Sequence, residues 1–169
     1  MPTAPMDALS LLKADHREVE ALFETFESAR GASKQAKVVR QICDALTVHA
    51  QIEDEIFYPA LRAHVDDDDI DEAYVEHDCA KLLIAELRAA EPNEDFYKAK
   101  VMVLKEQIEH HVREEERARD SLFAQAKAEG VPLDEIGVAL AQRKSELMVG
   151  IKAGGETLPQ LATMSAIQI

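Results

Sequence analysis

Apolar residues recur at intervals of three and four along nearly the whole chain, the spacing that turns one face of an α-helix toward a core. No stretch alternates with the period of two that marks a strand. The first helix starts at the cap residue Asp7 and runs to about Arg30, where Gly31 stops it. The second starts near the cap Ser33 and continues past Pro59 to about Ala63. Pro59 bends or loosens that last turn, because it has no amide to donate and crowds the preceding carbonyl. The acidic run Asp66 to Asp69 reads as a solvated loop into a third helix, roughly Ile70 to Ala90, and its carboxylates suit the cap and the helix dipole rather than a metal. Pro92 and Asn93 break the chain before a fourth helix over about 93–128, which ends at Gly130. A shorter amphipathic helix follows from Leu133 to Val149, and the turn-rich stretch after Gly150 reads as a flexible tail.

Four long helices with short connections predict an all-α, up-down-up-down four-helix bundle with a short C-terminal fifth helix. The expected division is a bundle domain over residues 5–128, an amphipathic helix over 129–149 and a tail over 150–169.

Four of the six histidines interrupt the apolar stripes. His16 shares a face with Leu9, Leu12, Val19 and Phe23, and His49 with Ile42, Leu46 and Ile56. His77 lies among Ile70, Tyr74, Ile84 and Leu87, and His111 among Leu104, Ile108 and Leu122. One such histidine is ordinary core. Four, one per helix, are not, since each unpaired buried polar group costs about 1–3 kcal/mol.

Two of them carry a glutamate one turn on, as His49-x-x-x-Glu53 and His111-x-x-x-Glu115. That spacing stacks imidazole and carboxylate on one face. His16, His49 and Glu53 recur as His77, His111 and Glu115 at offsets of 61, 62 and 62 residues, so each half is a helix with one histidine and then a helix with the pair. Helix rise sets His16 ~21 Å before the end of its helix and His49 ~24 Å after the start of the next, which places them side by side across a tight turn. The second hairpin gives ~20 Å and ~27 Å, which a looser connection absorbs.

Helix phase separates His111 from its neighbour His110. His111 continues the stripe Tyr97, Val101, Leu104 and Ile108, while His110 aligns with Glu106, Arg113, Glu114 and Arg117 and faces water. His64 is a solvated helix-end histidine, and Glu20, four residues after His16, is rotated toward solvent.

Four imidazoles and two carboxylates exceed the four ligands that zinc takes, and the mixed donors suit a pair of ions. If Glu53 and Glu115 both bridge, each ion has two imidazole nitrogens and two carboxylate oxygens. An oxo or hydroxo bridge makes five and leaves one position open for dioxygen, peroxide or nitric oxide. Two non-haem iron ions fit best, with manganese next. Ferritin-like bundles use more glutamate and a Glu-x-x-His pair, a different order and spacing.

Composition adds the setting. Hydrophobic residues make up 47% of 169, enough for one domain with a sizeable core. A net charge of −14 with no basic stripe excludes the usual duplex-binding surface and disfavours an anionic membrane. Cys43 and Cys79 lack metal-type spacing and read as buried thiols in a reducing compartment. The first sixteen residues have no basic segment followed by a long apolar one, and no run approaches the ~20 residues of a spanning helix. A cytoplasmic protein is expected.

The ordered set His16, His49-x-x-x-Glu53, His77, His111-x-x-x-Glu115 resembles the hemerythrin-like family, also called the HHE cation-binding domain, over roughly residues 7–128. The resemblance implies a four-helix bundle with a non-haem di-iron centre bridged by the two glutamates. Oxygen-carrying hemerythrins have a fifth histidine one turn before the third-helix ligand, where this chain has Ala73. They also place an aspartate five residues after the last histidine, where this chain has Glu116 and offers Glu115 at four. Tyr74, beside Ala73, reads as a core tyrosine, with the place of the missing histidine as its alternative. The loss leaves iron more open than reversible oxygen carriage needs. The expectation is therefore redox handling of peroxide, dioxygen or nitric oxide, as a di-iron oxidoreductase, with iron or oxygen sensing or storage without turnover as the alternative. No Gly-rich flavin or nicotinamide loop is present, so any reductant comes from elsewhere.

Overall fold

The structure is a computed structural model and describes residues 6–155 and 160–165. Residue 5 of the expected bundle domain, and 156–159 and 166–169 of the expected tail, lie outside the described residues. Every regular element among the described residues is helical: α1 Ala8–Ser28, α2 Ala32–Ile52, α3 Tyr58–Leu61, α4 Asp67–Ala89, α5 Tyr97–Val112, α6 Leu122–Ala128 and α7 Leu133–Lys152. Two single π-turns, Glu53–Phe57 and Arg113–Arg117, continue α2 and α5.

Local chemistry sets the ends. Asp7 caps α1 by accepting the Ser10 amide at 3.0 Å. Gly31 at φ 91 turns the chain between α1 and α2, a conformation in which a side chain is strained. Asp66 caps α4 by accepting the Asp68 amide at 2.9 Å. The acidic run is therefore the first turn of α4, and the helix starts three residues before Ile70. Phe96, at φ 67, ends the turn before α5, which begins at Tyr97 instead of Asn93. The expected single helix to Ala128 divides. The Ala118 amide closes the second π-turn on the Arg113 carbonyl at 2.6 Å, and Ala118 then leaves helical geometry at ψ 152. Ser121 starts α6 afresh by accepting the Ala124 amide. Pro59 does loosen its helix, but one turn earlier than it sits. The Tyr58 amide reaches back five residues to the Glu53 carbonyl, and the widened turn makes room for the proline ring.

The hairpins α1–α2 and α4–α5 pack through α2 against α4, and α7 lies across α1 and α2. Gly137 lets α7 approach the start of α1: a Cβ there would collide with the Met6 carbonyl and come within 2.8 Å of the Ala8 nitrogen. The core is in two parts. Val19, Phe23, Ile42, Ile84 and Leu104 belong to one apolar cluster, and Leu12, Ile52, Phe57, Ile70 and Leu140 to another. Between them runs a layer of buried polar residues that includes His16, His49, Glu53, His77, His111 and Glu115.

Part of the expected tail is held down. The Asp78 carboxylate, fully buried, accepts the Ala162, Thr163 and Met164 amides and the Thr163 hydroxyl at 2.6–3.0 Å. Burial by itself would raise the Asp78 pKa, but these hydrogen bonds bring it down to about 2. Asp78→Ala removes the acceptor of all four bonds and should cost roughly 2 kcal/mol, since charge-assisted bonds to a buried carboxylate exceed neutral ones. For a protein of this size that is about 4–8 °C in Tm. Thermal denaturation reads the loss, and new protease cleavage around residues 160–165 should accompany it; a variant with wild-type Tm and cleavage pattern would show that the contact of Asp78 with Ala162, Thr163 and Met164 adds no stability.

Candidate metal centre

The structure brings the six sequence-predicted residues together in one layer, each 6% exposed or less. Their donor atoms form two groups: His16, His49, Glu53 and Glu115, and Glu53, His77 and His111, with the atoms of each group within 4.8 Å of one another. Glu53 belongs to both. Its Oε2 lies 3.2 Å from His49 Nε2 and 3.3 Å from His77 Nε2. Glu115 Oε2 lies 3.2 Å from His16 Nε2 and 3.5 Å from His111 Nε2. Each carboxylate thus stands between a histidine of the first hairpin and one of the second.

The four imidazoles are oriented from behind by carboxylates. His16 Nδ1 meets Glu116 at 2.8 Å, and His49 Nδ1 meets Asp15 at 3.3 Å. His77 Nδ1 meets Asp54 at 2.7 Å, and His111 Nδ1 meets Glu76 at 2.6 Å. A carboxylate only accepts, so each Nδ1 carries a proton, and Nε2 is the ring nitrogen turned inward, free to coordinate once it gives up any proton of its own. This carboxylate–histidine arrangement is the one that orients imidazoles on metal ions. A cation backs three of the acids: Lys144 on Asp15, Lys81 on Asp54 and Arg17 on Glu116.

The inward faces are short of positive charge. His16 Nε2 is 3.2 Å from His49 Nε2, and His77 Nε2 is 3.3 Å from His111 Nε2. At that distance the two nitrogens repel unless a proton or a metal cation stands between them. Glu53 Oε1 and Glu115 Oε2 are buried without a hydrogen-bond partner, a costly state that cation coordination would relieve. The pKa shifts run in the same direction. Burial disfavours protonated His49, yet the Glu53 charge and the hydrogen bonds to Asp15 and Glu53 override it and raise the pKa to about 10. His77 and His111 are raised against burial in the same way, chiefly by Asp54 and by Glu115 respectively. Burial opposes ionisation of Glu115, but His111 and His16 hold its carboxyl well below the usual range. The donor set fits metal cations.

The sequence did not single out Tyr58. Its hydroxyl, fully buried, donates toward Glu115 Oε1 at 3.0 Å and Glu53 Oε2 at 3.2 Å, and lies 3.3 Å from His77 Nε2 and 3.4 Å from His111 Nε2. It reaches the layer because the π-turn sets residue 58 over Glu53 rather than around the far side of the helix. Tyr74 does not fill the place of the absent histidine. Its hydroxyl donates to the Asp54 carbonyl at 3.0 Å, and its ring packs edge-on against Tyr58. Of the four outer acids the sequence marks out only Glu116, at the position of the family's aspartate, although Asp15–Glu76 and Asp54–Glu116 repeat at 61 and 62 residues like the inner set. His110 is about half exposed, as helix phase indicates, and pairs with Glu76 and Glu114; His64 is exposed. Cys43 is buried and Cys79 half-buried, and both are free thiols.

Among the described residues no helix is long and apolar enough to cross a membrane. A DNA nickase of Nostoc sp. is 31% identical over 119 residues, covering 70% of this chain and 33% of that protein, so this chain spans about a third of the relative's length. In fold, the chain is similar to the crystal structure of a hemerythrin HHE cation binding domain-containing protein from Mycobacterium kansasii. The TM-score is 0.71 at 24% identity, over 89% of this chain and 95% of that one. The family profile of the hemerythrin HHE cation binding domain matches residues 7–118, which take in all six inner residues and the four acids behind them. The chain belongs to the hemerythrin HHE cation-binding family.

Proposed function

We propose that His16, His49, Glu53, His77, His111 and Glu115 hold two iron ions, and that the loaded protein handles a small oxidant or gas: peroxide, dioxygen or nitric oxide. The observation that carries this reading is the two pairs of facing Nε2 atoms, one on each side of Glu53 and Glu115. Two donor groups with Glu53 in common suit two neighbouring ions, and mixed imidazole and carboxylate donors suit iron, then manganese. Bound iron would supply the change of oxidation state that reduction of dioxygen or peroxide needs.

The chain's own groups supply positioning and protons. Glu76, Asp54, Asp15 and Glu116 fix the four rings so that their Nε2 atoms point inward. Burial, with the Glu115 and Glu53 charges beside it, keeps the Tyr58 hydroxyl protonated well above its ordinary range. That hydroxyl is the donor that a small anion between the two glutamates would meet. A cavity of about 20 Å³ reaches all four histidines between Val19, Leu46, Ala80 and Ile84. It has room for about one water-sized molecule, and its apolar walls suit a neutral diatomic.

The test is turnover by iron-loaded protein with peroxide, with dioxygen and with nitric oxide, each supplied with a reductant where the stoichiometry requires one. Steady consumption of one of them supports the reading. Consumption of none, by protein shown to contain iron, would overturn it. A second reading, sensing without turnover, is favoured by one chain of contacts: Asp54 joins His77 to Lys81, and Lys81 donates to the Gln160 carbonyl at 3.1 Å, beside the residues that Asp78 holds. It requires protease access to residues 160–165 to change with iron loading. The nickase activity named for the longer relative is not carried over, since the −14 charge offers no phosphate-binding stripe.

A further inference from the structure

The two halves of the bundle differ on their outer faces. On the first, Leu11, Val48 and Ile52 are buried, and α7 packs over α1 and α2. Shifting these positions by the repeat offsets gives Glu72, His110 and Glu114 on the second half, all exposed. Together with Glu76 these residues bring three carboxylates and an imidazole within 4.8 Å of one another. His110 Nε2 is 3.3 Å from Glu76 Oε1 and 3.3 Å from Glu114 Oε1.

An exposed acidic cluster would mean little alone. This one opens into a cavity of about 280 Å³ whose lining runs from Glu72, Glu76 and Glu114 down to His111 and Glu115. Glu115 is 1% exposed, and its Oε2 has no hydrogen-bond partner. Glu76 joins the two levels, touching His110 through Oε1 and His111 Nδ1 through Oε2. Arg119 is the cation in the lining, against five carboxylates besides Glu115. A second cavity at the histidines, about 20 Å³ between mostly apolar side chains, is too narrow for a hydrated ion to enter with its water.

We propose that Glu72, Glu76, His110 and Glu114 form a loading site, at which a divalent cation of the ferrous type is captured before it passes through this cavity to the buried centre. The proposal rests on the reading of that centre as a metal site. The loading site holds its cation weakly, through oxygen donors that remain solvated, and the carboxylate of Glu76 lies next to the inner ligand His111. An acidic mouth raises the local cation concentration and speeds capture by one to three orders of magnitude.

The test compares the wild type with the double variant Glu72→Gln, Glu114→Gln, which leaves the ring-orienting Glu76 in place. Iron uptake by the metal-stripped protein, followed by optical stopped flow, should slow by about tenfold or more. The final iron content and the Tm of the loaded protein should not change. The same charge change on α7, Glu135→Gln with Glu146→Gln, should leave the rate within about twofold. Electron paramagnetic resonance of added Mn²⁺ should count one bound ion fewer in the double variant than in the wild type. Equal Mn²⁺ counts overturn the site, wild-type uptake by the double variant overturns its loading role, and equal slowing by the α7 pair assigns the effect to overall charge and overturns it as well. Failure of the buried centre would instead appear as no iron retained by either protein, and the Mn²⁺ count would still decide the outer site.

Discussion

With two ions held as proposed, Glu53→Ala should strip the buried centre of both, whereas His16→Ala should weaken one position more than the other. The asymmetry follows from geometry. Glu53 is the donor common to both groups, and His16 belongs to one. Changing the outer partner of a metal ligand typically costs 10–100-fold in affinity. Removing an inner donor shared by two ions should therefore cost more than about 100-fold at each. Iron content after gel filtration reads the outcome, with circular dichroism to establish that the variant folds. Two iron per chain in folded Glu53→Ala protein would remove Glu53 from the ligand set.

Iron loading should raise the melting temperature steeply. A ligand present at about 1,000 times its Kd stabilises the state it binds by roughly 4 kcal/mol. For a chain of this length that is about 8–16 °C per ion, and two ions at neighbouring positions would add further. The origin is the polar layer between the two apolar clusters. Without a cation, that layer is held by charged pairs such as His49–Glu53, taken out of water at a desolvation cost that their attraction barely repays. A metal cation takes the place of the protons on these rings, coordinates the facing Nε2 atoms and gives the unpartnered oxygens of Glu53 and Glu115 a partner. Calorimetry of stripped and loaded protein measures the shift. Coincident melting curves in a sample shown to contain iron would mean that the ions sit elsewhere.

The buried cluster was legible because core-facing positions obey helix period. His16, His49, His77 and His111 stand on apolar stripes where nothing in packing asks for a ring nitrogen, and the repeat ties them to Glu53 and Glu115. Fold class was legible for the same reason. Tyr58 was not, because its place depends on a local change of helix type. In an unbroken α-helix residue 58 would point well away from Glu53, and only the π-turn stacks them. The break at Ala118–Ser121 escaped for a related reason, since Arg117, Ala118 and Arg119 are ordinary helix formers and the departure comes from the end of the second π-turn. The ring-orienting places of Asp15, Asp54, Glu76 and Glu116 were hidden by abundance. In a chain with 33 acidic residues, one more carboxylate beside a histidine carries little signal until the repeat is extended to it.

The traffic of carboxylates between the halves has a consequence for assembly. Asp54 of the first hairpin orients His77 of the second, and Glu116 of the second orients His16 of the first. Glu53 and Glu115 each divide their contacts between the hairpins in the same reciprocal way. A single hairpin therefore holds both carboxylates for one of its histidines, His49 or His111, and neither for the other, His16 or His77, and what it lacks is a rotated copy of what it offers. Such a surface is self-complementary: an excised hairpin could complete the layer by pairing with its twin about a two-fold axis, as isologous dimers do. The connection through residues 90–96 turns that bimolecular encounter into an intramolecular one and fixes the stoichiometry at one of each. It also frees the halves to diverge, so that one outer face could be sealed by α7 while the other stayed open to solvent.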